Sequence, residues 1–414
     1  MNVIDSPTAE VQNQTRLSAE TLIKIAGEYG SPVYVYHAET IRDQYNKLTQ
    51  AFSSAPAVFF YACKALTNLN ILKYVLSIGS NIDCSSVNEV QLAIKAGFEP
   101  ANILYTSNNI AFSEIEQAAS LGVNINIDSV SNLRKFGQKF GHSYPVGIRL
   151  RPNIMAGGNL KISTGHQDSK FGIPIEQLDL VQDLITQHNI LINGLHIHTG
   201  SEIQDVEVFM KGLELLYKLS ENFPELKFLD LGGGFKVAYK EDDKVTNIEL
   251  LGKKITEAHH TFEVRTGRKL QLWFEPGKFI VSESGYFVSK VNVIKTTSVK
   301  EFIGLDTGLN HLIRPMFYDA YHKIANLSNP GGVLKPYTVV GNICETDTFA
   351  TDRMINEIRE GDYLVFYNTG AYGFEMASNY NSRFKPAEVL VENNQPRLIR
   401  SRENLTDLLR NQVI

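Results

Sequence analysis

The stretch Tyr61-Ala62-Cys63-Lys64-Ala65-Leu66 follows directly on a short apolar run, residues 57–60. That run has the length and the β-branched and aromatic content of a buried strand, and a helical pattern begins near residue 70. Lys64 is therefore predicted to lie where a strand has ended and a helix has not begun. An amine placed there can be partly desolvated and nucleophilic. Taken alone, a solvated loop lysine is the commoner interpretation, and the rest of the chain decides between the two.

The bulk composition is that of an ordinary globular protein. The chain has 414 residues, of which 43% are hydrophobic and 21% charged, with a formal net charge of −5. This length predicts two domains, or one barrel with an appendage. Because no long basic cluster occurs, we expect no nucleic-acid partner. The polar residues 1–8 lack a secretory signal and no apolar run approaches a membrane span, so we expect no membrane association.

The three cysteines are Cys63, Cys84 and Cys344. They are few, odd in number and without the spacing of metal ligands. They indicate reduced thiols in a cytoplasmic protein, and no metal site is predicted.

Strand-like and helix-like patterns alternate through the first two thirds of the chain. Eight short strands with helices between them are the sequence signature of a TIM-like (β/α)8 barrel, an α/β fold. The predicted strands are residues 58–61, 81–85, 103–107, 124–128, 146–150, 194–198, 228–231 and 272–275, and the helices include 87–96, 112–121, 175–188, 206–219 and 248–266.

After residue 275 the pattern becomes mostly β. Alternating strand-like segments occur at residues 286–294, 337–341, 363–366 and 387–391, with turns between them. We therefore predict a β-rich C-terminal domain, residues 284–414, after a barrel domain, residues 38–283. The N-terminal segment, residues 1–37, is expected to pack with the β domain.

The carboxyl ends of the predicted barrel strands carry the residues with chemistry, as active sites of such barrels do. They are Lys64, Asp83, His198 with Ser201, the glycines 232–234, and Glu275 with Gly277 and Lys278. Each alone has an ordinary interpretation as a structural histidine, a surface acid or a tight turn. A lysine, a glycine-rich anion cradle, a flat imidazole and an acid at one end of one barrel together suit pyridoxal phosphate.

The sequence resembles the fold-type III pyridoxal-phosphate-dependent decarboxylases from about residue 31 to residue 391. The resemblance rests on motifs that occur in the family's order, each weak alone. They are Tyr-Ala-Cys-Lys-Ala at 61–65, the loop at 162–173, His-Ile-His-Thr-Gly-Ser at 196–201, Gly-Gly-Gly-Phe at 232–235, Glu-Pro-Gly-Lys at 275–278, the stretch 310–322, Cys-Glu-Thr at 344–346, Gly-Ala-Tyr-Gly at 370–373 and Ser-Asn-Tyr-Asn at 378–381.

The resemblance implies a role for each matched position. Lys64 would bind the cofactor covalently, His198 would stack on its ring and Glu275 would pair with its ring nitrogen. The other implied cofactor contacts are Asp83, Ser201, Gly233, Gly234, Gly277, Lys278 and Tyr372.

The implied reaction is decarboxylation of meso-2,6-diaminopimelate to L-lysine and carbon dioxide, the last step of lysine biosynthesis. The substrate would be bound by Lys278, Arg314, Tyr318, Glu345 and Tyr372. Cys344 would deliver a proton, and it would act with Glu345 in the site of a second subunit, so a homodimer with shared sites is implied.

Two positions depart from the family's pattern. Arginine is common where this chain has Lys278, and lysine loses the bidentate fork. The acid that usually follows Cys344 and Glu345 is shifted one place earlier, to Asp347.

Alternatives remain open. A related decarboxylase could act on carboxynorspermidine, ornithine or arginine, and an amino-acid racemase is a more distant rival. A third alternative, from another functional class, is a catalytically silent regulator that binds the cofactor. The presence of Lys64, Cys344 and Glu345 together argues against it.

Overall fold

A computed structural model describes residues 17–152 and 169–413. These residues form two units. The first contains 43–237 and 244–280 of the described chain, and the second contains 17–42, 238–243 and 281–413. Most of the loop at 162–173 and the beginning of the predicted N-terminal segment lie outside the described residues.

The described chain begins with α1 (Ala19–Tyr29), β1 (Val33–His37) and α2 (Ala38–Ala51). The side chain of Ser18 accepts a hydrogen bond from the Thr21 N–H and caps the start of α1. The apolar face of α1 and alternate residues of β1 are buried in the core of the second unit.

The described residues of the first unit form the predicted barrel. All its strand pairs are parallel, and pairing of β10 with β2 and of β5 with β6 closes the ring of eight strands. The two-residue strand β7 pairs with β6 beside that ring. The strands are β2 (Ala57–Ala62), β3 (Asn81–Cys84), β4 (Ile103–Thr106), β5 (Asn124–Ile127), β6 (Val146–Arg151), β7 (Ile173–Pro174), β8 (Ile192–Ile197), β9 (Phe228–Asp230) and β10 (Gln271–Phe274).

Helices connect the strands, as parallel pairing requires. Several begin at side-chain N-caps: Ser86, Ser129, Asp205 and Asn247 each accept a backbone N–H from the first turn. The helices are α3 (Leu69–Ser77), α4 (Val87–Ala96), α5 (Phe112–Ser120), α6 (Val130–Phe140), α7 (Leu178–His188), α8 (Val206–Ser220), α9 (Ile248–Thr266) and the short α10 (Lys278–Val281).

The barrel interior has an apolar layer with a polar layer above it. Phe60, Leu104, Phe228 and Trp273 form one buried cluster, in which the Phe228 and Trp273 rings stack with centroids 3.5 Å apart. A Cβ on Gly194 would lie 2.0 Å from the Phe228 ring, so only glycine fits there. Since side chains alternate along a strand, the residues two places further face the same way. These are Ala62, Thr106, Asp230 and Glu275.

The described part of the second unit is dominated by one sheet. Its strands follow the order β15-β14-β12-β11-β1-β17-β18, with β16 paired to β11 and β13 paired to β16. The elements are β11 (Gly285–Thr296), β12 (Glu301–Leu305), α11 (Arg314–Tyr318), β13 (Ile324–Asn326), β14 (Leu334–Val340), β15 (Thr348–Asn356), β16 (Tyr363–Tyr367), β17 (Ala387–Glu392), β18 (Gln395–Arg400) and α12 (Leu405–Leu409).

The β-rich character predicted for this part of the chain is confirmed, and four strands, β12, β13, β15 and β18, were not predicted. β12 contains a glycine, β13 has three residues, and β18 is an exposed edge strand that includes a proline. Each therefore lacks the alternation that marks a half-buried strand. In the described ranges, no helix has the length and apolar character needed to cross a membrane.

Candidate active site

Lys64 lies in a short 3-10 turn, Cys63–Ala65, that follows β2. Its Nζ is 3.3 Å from Oδ2 of Asp83 at the end of β3, and its side chain is 45% exposed whereas that of Asp83 is fully buried. Burial and the nearby Glu275 raise the pKa of Asp83 to about 8, although the Lys64 ammonium opposes this rise. Asp83 Oδ1 has no hydrogen-bond partner in the described part of the chain. The structure thus brings Lys64 and Asp83 together as partners.

His198 follows β8, and its ring is fixed by the glycine loop. The Gly233 N–H donates to Nδ1 of His198 at 3.3 Å, so that nitrogen is the acceptor and Nε2 carries the proton. Burial and then the positive charge of Arg149 lower the pKa of His198 to about 3. The ring is therefore a neutral imidazole near pH 7, with a defined tautomer.

The glycine loop after β9 is in close contact with the ends of both neighbouring strands. A Cβ on Gly233 would lie 2.2 Å from the carbonyl oxygen of Glu275. Gly234 has φ +99°, and its Cβ would lie 2.2 Å from the carbonyl oxygen of Gly200. Glycine is required at both positions. The half-buried Ser201 and the buried Gly277 lie in the loops that follow the adjoining strands.

Lys278 begins α10, directly after the Glu-Pro-Gly turn. Its Nζ is 2.7 Å from Oε1 of Glu202, and the two side chains are 15% and 34% exposed. The expected cation is therefore present at the strand ends, with a carboxylate partner that the sequence did not predict.

Glu275 belongs to a fully buried cluster with His196 and Asp230. Nε2 of His196 is 3.5 Å from Oε1 of Glu275, and one ligand atom from each of the three residues lies within 4.8 Å of the others. Burial alone would raise the pKa of Glu275, but the facing His196 and the Lys64 charge outweigh it and lower that pKa well below its usual range. Burial lowers the pKa of His196. Glu275 is therefore the ionised acid beneath the mouth of the barrel.

Asp230 and Arg149 belong to this polar interior but were not predicted. Both are buried, and Asp230 Oδ1 accepts the Gly232 N–H at 2.8 Å. Burial, and then the Glu275 carboxylate, raise the pKa of Asp230 well above its ordinary range. Burial lowers the pKa of Arg149. The negative charges of nearby acids, including Glu275, oppose this lowering. Strand alternation could have predicted both positions, because side chains two residues apart on a strand face the same side. Asp230 is two residues from Phe228, and Arg149 is two residues from Gly147.

In the second unit, Arg314 is buried at the start of α11. Its Nη1 donates to the Tyr239 hydroxyl at 2.8 Å, and its guanidinium lies over the Tyr239 ring, 5.2 Å from the centroid. Tyr318, at the end of α11, is half-buried. Tyr239 was missed because nothing in its loop sequence distinguishes it. Tyr372 has φ +55°, a left-handed conformation that is unusual for an aromatic residue and suggests a functional constraint.

Cys344 and Glu345 are exposed in the single chain and are held by one neighbouring segment. Asn381 accepts the Cys344 N–H through Oδ1 at 3.0 Å and donates through Nδ2 to the sulfur at 3.1 Å. The Tyr380 hydroxyl donates to Oε1 of Glu345 at 2.7 Å and lies 3.7 Å from the Cys344 sulfur. The two candidate residues therefore have defined side-chain positions.

The shifted acid, Asp347, supports the loop that carries Cys344. It is buried, and its two carboxylate oxygens accept the N–H groups of Leu309 and Ile343 at 2.7 and 3.1 Å. The departure at this position therefore places a structural carboxylate at the base of the loop.

The strand ends fit pyridoxal phosphate. Several buried polar atoms have no hydrogen-bond partner among the described residues, namely Asp83 Oδ1, Glu275 Oε1, Asp230 Oδ2 and both ring nitrogens of His196. Such atoms need a partner, and the ligand of this site can supply one. Histidine, aspartate and glutamate are also residue types that bind divalent cations, so the cluster of His196, Asp230 and Glu275 could in principle hold a metal ion. The adjacent Lys64, the neutral His198 and the glycine loop make pyridoxal phosphate the ligand that suits the whole set.

Comparison with known proteins gives the same result. Residues 38–282 match the family model described as pyridoxal-dependent decarboxylase, pyridoxal binding domain. The diaminopimelate decarboxylase of Methanothermobacter thermautotrophicus is 38% identical over 421 residues, covering 99% of this chain and 98% of that protein. The diaminopimelate decarboxylase of Escherichia coli strain K12 is 32% identical, covering 97% of this chain and 99% of that protein.

Solved structures agree with the sequence relatives. The crystal structure of diaminopimelate decarboxylase from Helicobacter pylori complexed with L-lysine has a TM-score of 0.86 and 31% sequence identity. It covers 94% of this chain, and the match spans 98% of that chain. The chain therefore belongs to the family of pyridoxal-dependent decarboxylases that includes the diaminopimelate decarboxylases.

Proposed function

We propose that this protein is a carboxy-lyase that converts meso-2,6-diaminopimelate to L-lysine and carbon dioxide with pyridoxal 5′-phosphate as its cofactor. The observation that carries the proposal is the pairing of Lys64 with buried Asp83 at the strand ends, beside the glycine loop and the ionised Glu275. The names of the near full-length relatives support the substrate. The H. pylori enzyme complexed with L-lysine supports the product.

Bound pyridoxal phosphate supplies an electron sink for the electron pair released when the α-carboxylate leaves. Lys64 would hold the cofactor through its Nζ. Glu275, ionised beneath it, would hold a proton on the ring nitrogen, which keeps the ring electron-poor. The neutral His198 ring, fixed by Gly233, would pack on the cofactor ring, and Ser201 and the glycine loop would hold the phosphate.

The far end of the substrate carries a carboxylate and an ammonium, and these require a cation and an acid. We assign the carboxylate to Arg314, Tyr318, Tyr372 and Lys278, and the ammonium to Glu345. Tyr239 would fix the Arg314 guanidinium, because it contacts both an edge N–H group and the face of that group. A substrate without a distal carboxylate would not form this charge-assisted contact with Arg314 and would therefore bind less tightly.

We further propose that Cys344 returns a proton to the α-carbon and that Cys344 and Glu345 act in the site of a partner subunit. Both are exposed in the single chain, and a homodimer would bury them. Two buried free cysteines and the exposed thiol of Cys344 also suit a cytoplasmic protein.

The test is product identification after incubating the purified protein and pyridoxal phosphate with meso-diaminopimelate, ornithine, arginine and carboxynorspermidine in parallel. We expect lysine and carbon dioxide from the first substrate, with the others turned over at least about a hundredfold more slowly because they lack the distal carboxylate that Arg314 would bind. Equal or faster turnover of another substrate would contradict the assignment. Cofactor absorbance without turnover of any of the four would indicate a silent regulator.

Lys64→Ala should lose both the absorbance of the lysine-bound cofactor and all measurable turnover, because the amine that would hold the cofactor is removed. Lys95→Ala is the matched control, since Lys95 is an exposed lysine of the same unit, on α4 and outside the family motifs. It should keep both properties. Activity in Lys64→Ala would overturn the role of Lys64.

A further inference from the structure

The ion pair of Lys278 and Glu202 is built into the strand ends. Its Nζ–Oε1 distance is 2.7 Å, and the lysine side chain is only 15% exposed. The loop that carries Glu202 is tied to the glycine loop, because the Ile203 N–H donates to the Gly234 carbonyl oxygen at 2.9 Å. Glu202 itself has φ +60°. A glutamate in the left-handed region is uncommon, and such strain concentrates at functional positions.

Lysine and arginine differ in what they need in order to bind an oxyanion. A guanidinium presents a rigid fork of donors, whereas an ammonium is a point charge on a flexible stem with three donors. A lysine at an anion site therefore benefits from a neighbour that fixes its direction. Glu202 contacts the Lys278 ammonium at 2.7 Å and thereby fixes the direction of this point charge.

We propose that Glu202 is a positioning residue that aims the Lys278 ammonium at an oxyanion of the bound ligand beside the glycine loop. In this arrangement, Glu202 and Lys278 together do what an arginine fork does alone. The inference rests on the proposed assignment of Lys278 and the glycine loop to ligand binding. The oxyanion is either the cofactor phosphate or the distal carboxylate of the substrate, and the experiment separates them.

The alternative is a purely structural ion pair. Glu116 and Lys139 provide the comparison, because they form an ion pair between neighbouring barrel helices, where both side chains are partly exposed. Glu116→Gln is therefore the matched control for loss of one carboxylate charge in the same unit. It should change neither ligand binding nor turnover.

The variants are Glu202→Ala, Glu202→Gln, Lys278→Arg and the double variant Glu202→Ala/Lys278→Arg. The apoprotein is titrated with pyridoxal phosphate and with pyridoxal, which lacks the phosphate, and binding is followed by absorbance. The cofactor-loaded enzymes are then assayed for kcat and KM with meso-diaminopimelate. A melting curve for each variant identifies any that fails to fold, and Glu202→Gln keeps the side-chain shape if Glu202→Ala does not fold.

If the oxyanion is the phosphate, Glu202→Ala should weaken pyridoxal phosphate binding about tenfold and leave pyridoxal binding unchanged. If it is the substrate carboxylate, cofactor binding should be unchanged and KM should rise about tenfold at similar kcat. In either case Glu202→Gln should have a smaller effect, and Lys278→Arg should restore the Glu202→Ala loss to within about threefold.

Unchanged or tighter binding of pyridoxal phosphate together with an unchanged KM for meso-diaminopimelate in Glu202→Ala would overturn the inference. Failure of Lys278→Arg to rescue a Glu202→Ala loss would overturn it as well. That result would leave the site assignment intact as long as pyridoxal phosphate still binds through Lys64. A wild-type protein that binds no pyridoxal phosphate would instead overturn the assignment on which the inference rests.

Discussion

At the scale of single residues, the two buried acids beneath the barrel mouth, Asp230 and Glu275, have pKa values shifted in opposite directions. Asp230 accepts the Gly232 N–H, and burial together with Glu275 raises its pKa well above the ordinary range, which favours its neutral form beside Glu275. Two carboxylates this close share one proton more readily than they carry two charges. Asp230 therefore both anchors the glycine loop and supports the ionised state of Glu275.

Asp230→Asn should behave much like the wild type, because asparagine keeps the acceptor for Gly232 and a donor for Glu275. Asp230→Ala removes both, and loss of a buried hydrogen bond should weaken pyridoxal phosphate binding by about tenfold or more. Absorbance titration of the apoproteins measures this. If Asp230→Asn is as damaging as Asp230→Ala, an ionised Asp230 is required and the neutral assignment is wrong.

The sequence predicted the strand-end residues of the barrel because position relative to a strand can be read locally. Lys64, Asp83 and Glu275 follow or end apolar runs, and the fold brings them together. Glu202 and Tyr239 could not be predicted in this way, because their contacts join loops that are distant in sequence. A loop residue acquires its partner only from tertiary structure.

At the scale of elements, His311 joins two loops of the second unit. The neutral ring accepts from Thr307 through Nδ1 at 2.9 Å and donates from Nε2 to the Phe384 carbonyl oxygen at 3.0 Å. Burial lowers the pKa of His311 to about 4, although the Phe384 hydrogen bond opposes this. His311, in the segment after β12, thus connects to Phe384, in the segment before β17, through a hydrogen bond made by its neutral ring.

The pH dependence of stability follows from this lowered pKa. The unfolded chain takes up a proton on His311 near pH 6.5, and the folded chain does so only near pH 4. Stability is therefore lost as pH falls through this window, by about 2 kcal/mol between pH 7 and pH 5. His311→Gln cannot titrate, so its melting temperature should fall less over that range than that of the wild type. The exposed control His142→Gln should follow the wild type; parallel curves for His311→Gln and the wild type would refute the prediction.

Elements with strong periodicity were predictable, and those without it were not. The alternating pattern of Tyr286 to Ile294 predicted the strand that forms β11. β13 and β18 are held in the sheet by pairing with β16 and β17, and their own sequences carry little signal. Tertiary pairing overrides local preference in such short or exposed strands.

At the scale of the whole molecule, active sites shared between two subunits would give mixed dimers a distinctive activity. If Lys64 of one subunit works with Cys344 of the partner, Lys64→Ala and Cys344→Ala are each inactive as pure proteins. In a heterodimer of the two, one site carries both defects and the other carries neither.

Co-expression with two different tags and successive purification on each tag isolates that heterodimer. We expect it to have about half of the wild-type activity, since one of its two sites is intact. A Lys64→Ala dimer carrying the same two tags is the control and should be inactive. If both residues instead belonged to one subunit, each site of the heterodimer would carry a single defect and the heterodimer would be inactive. Failure of the two tags to purify together would argue against the dimer itself, so the experiment tests assembly and site sharing separately.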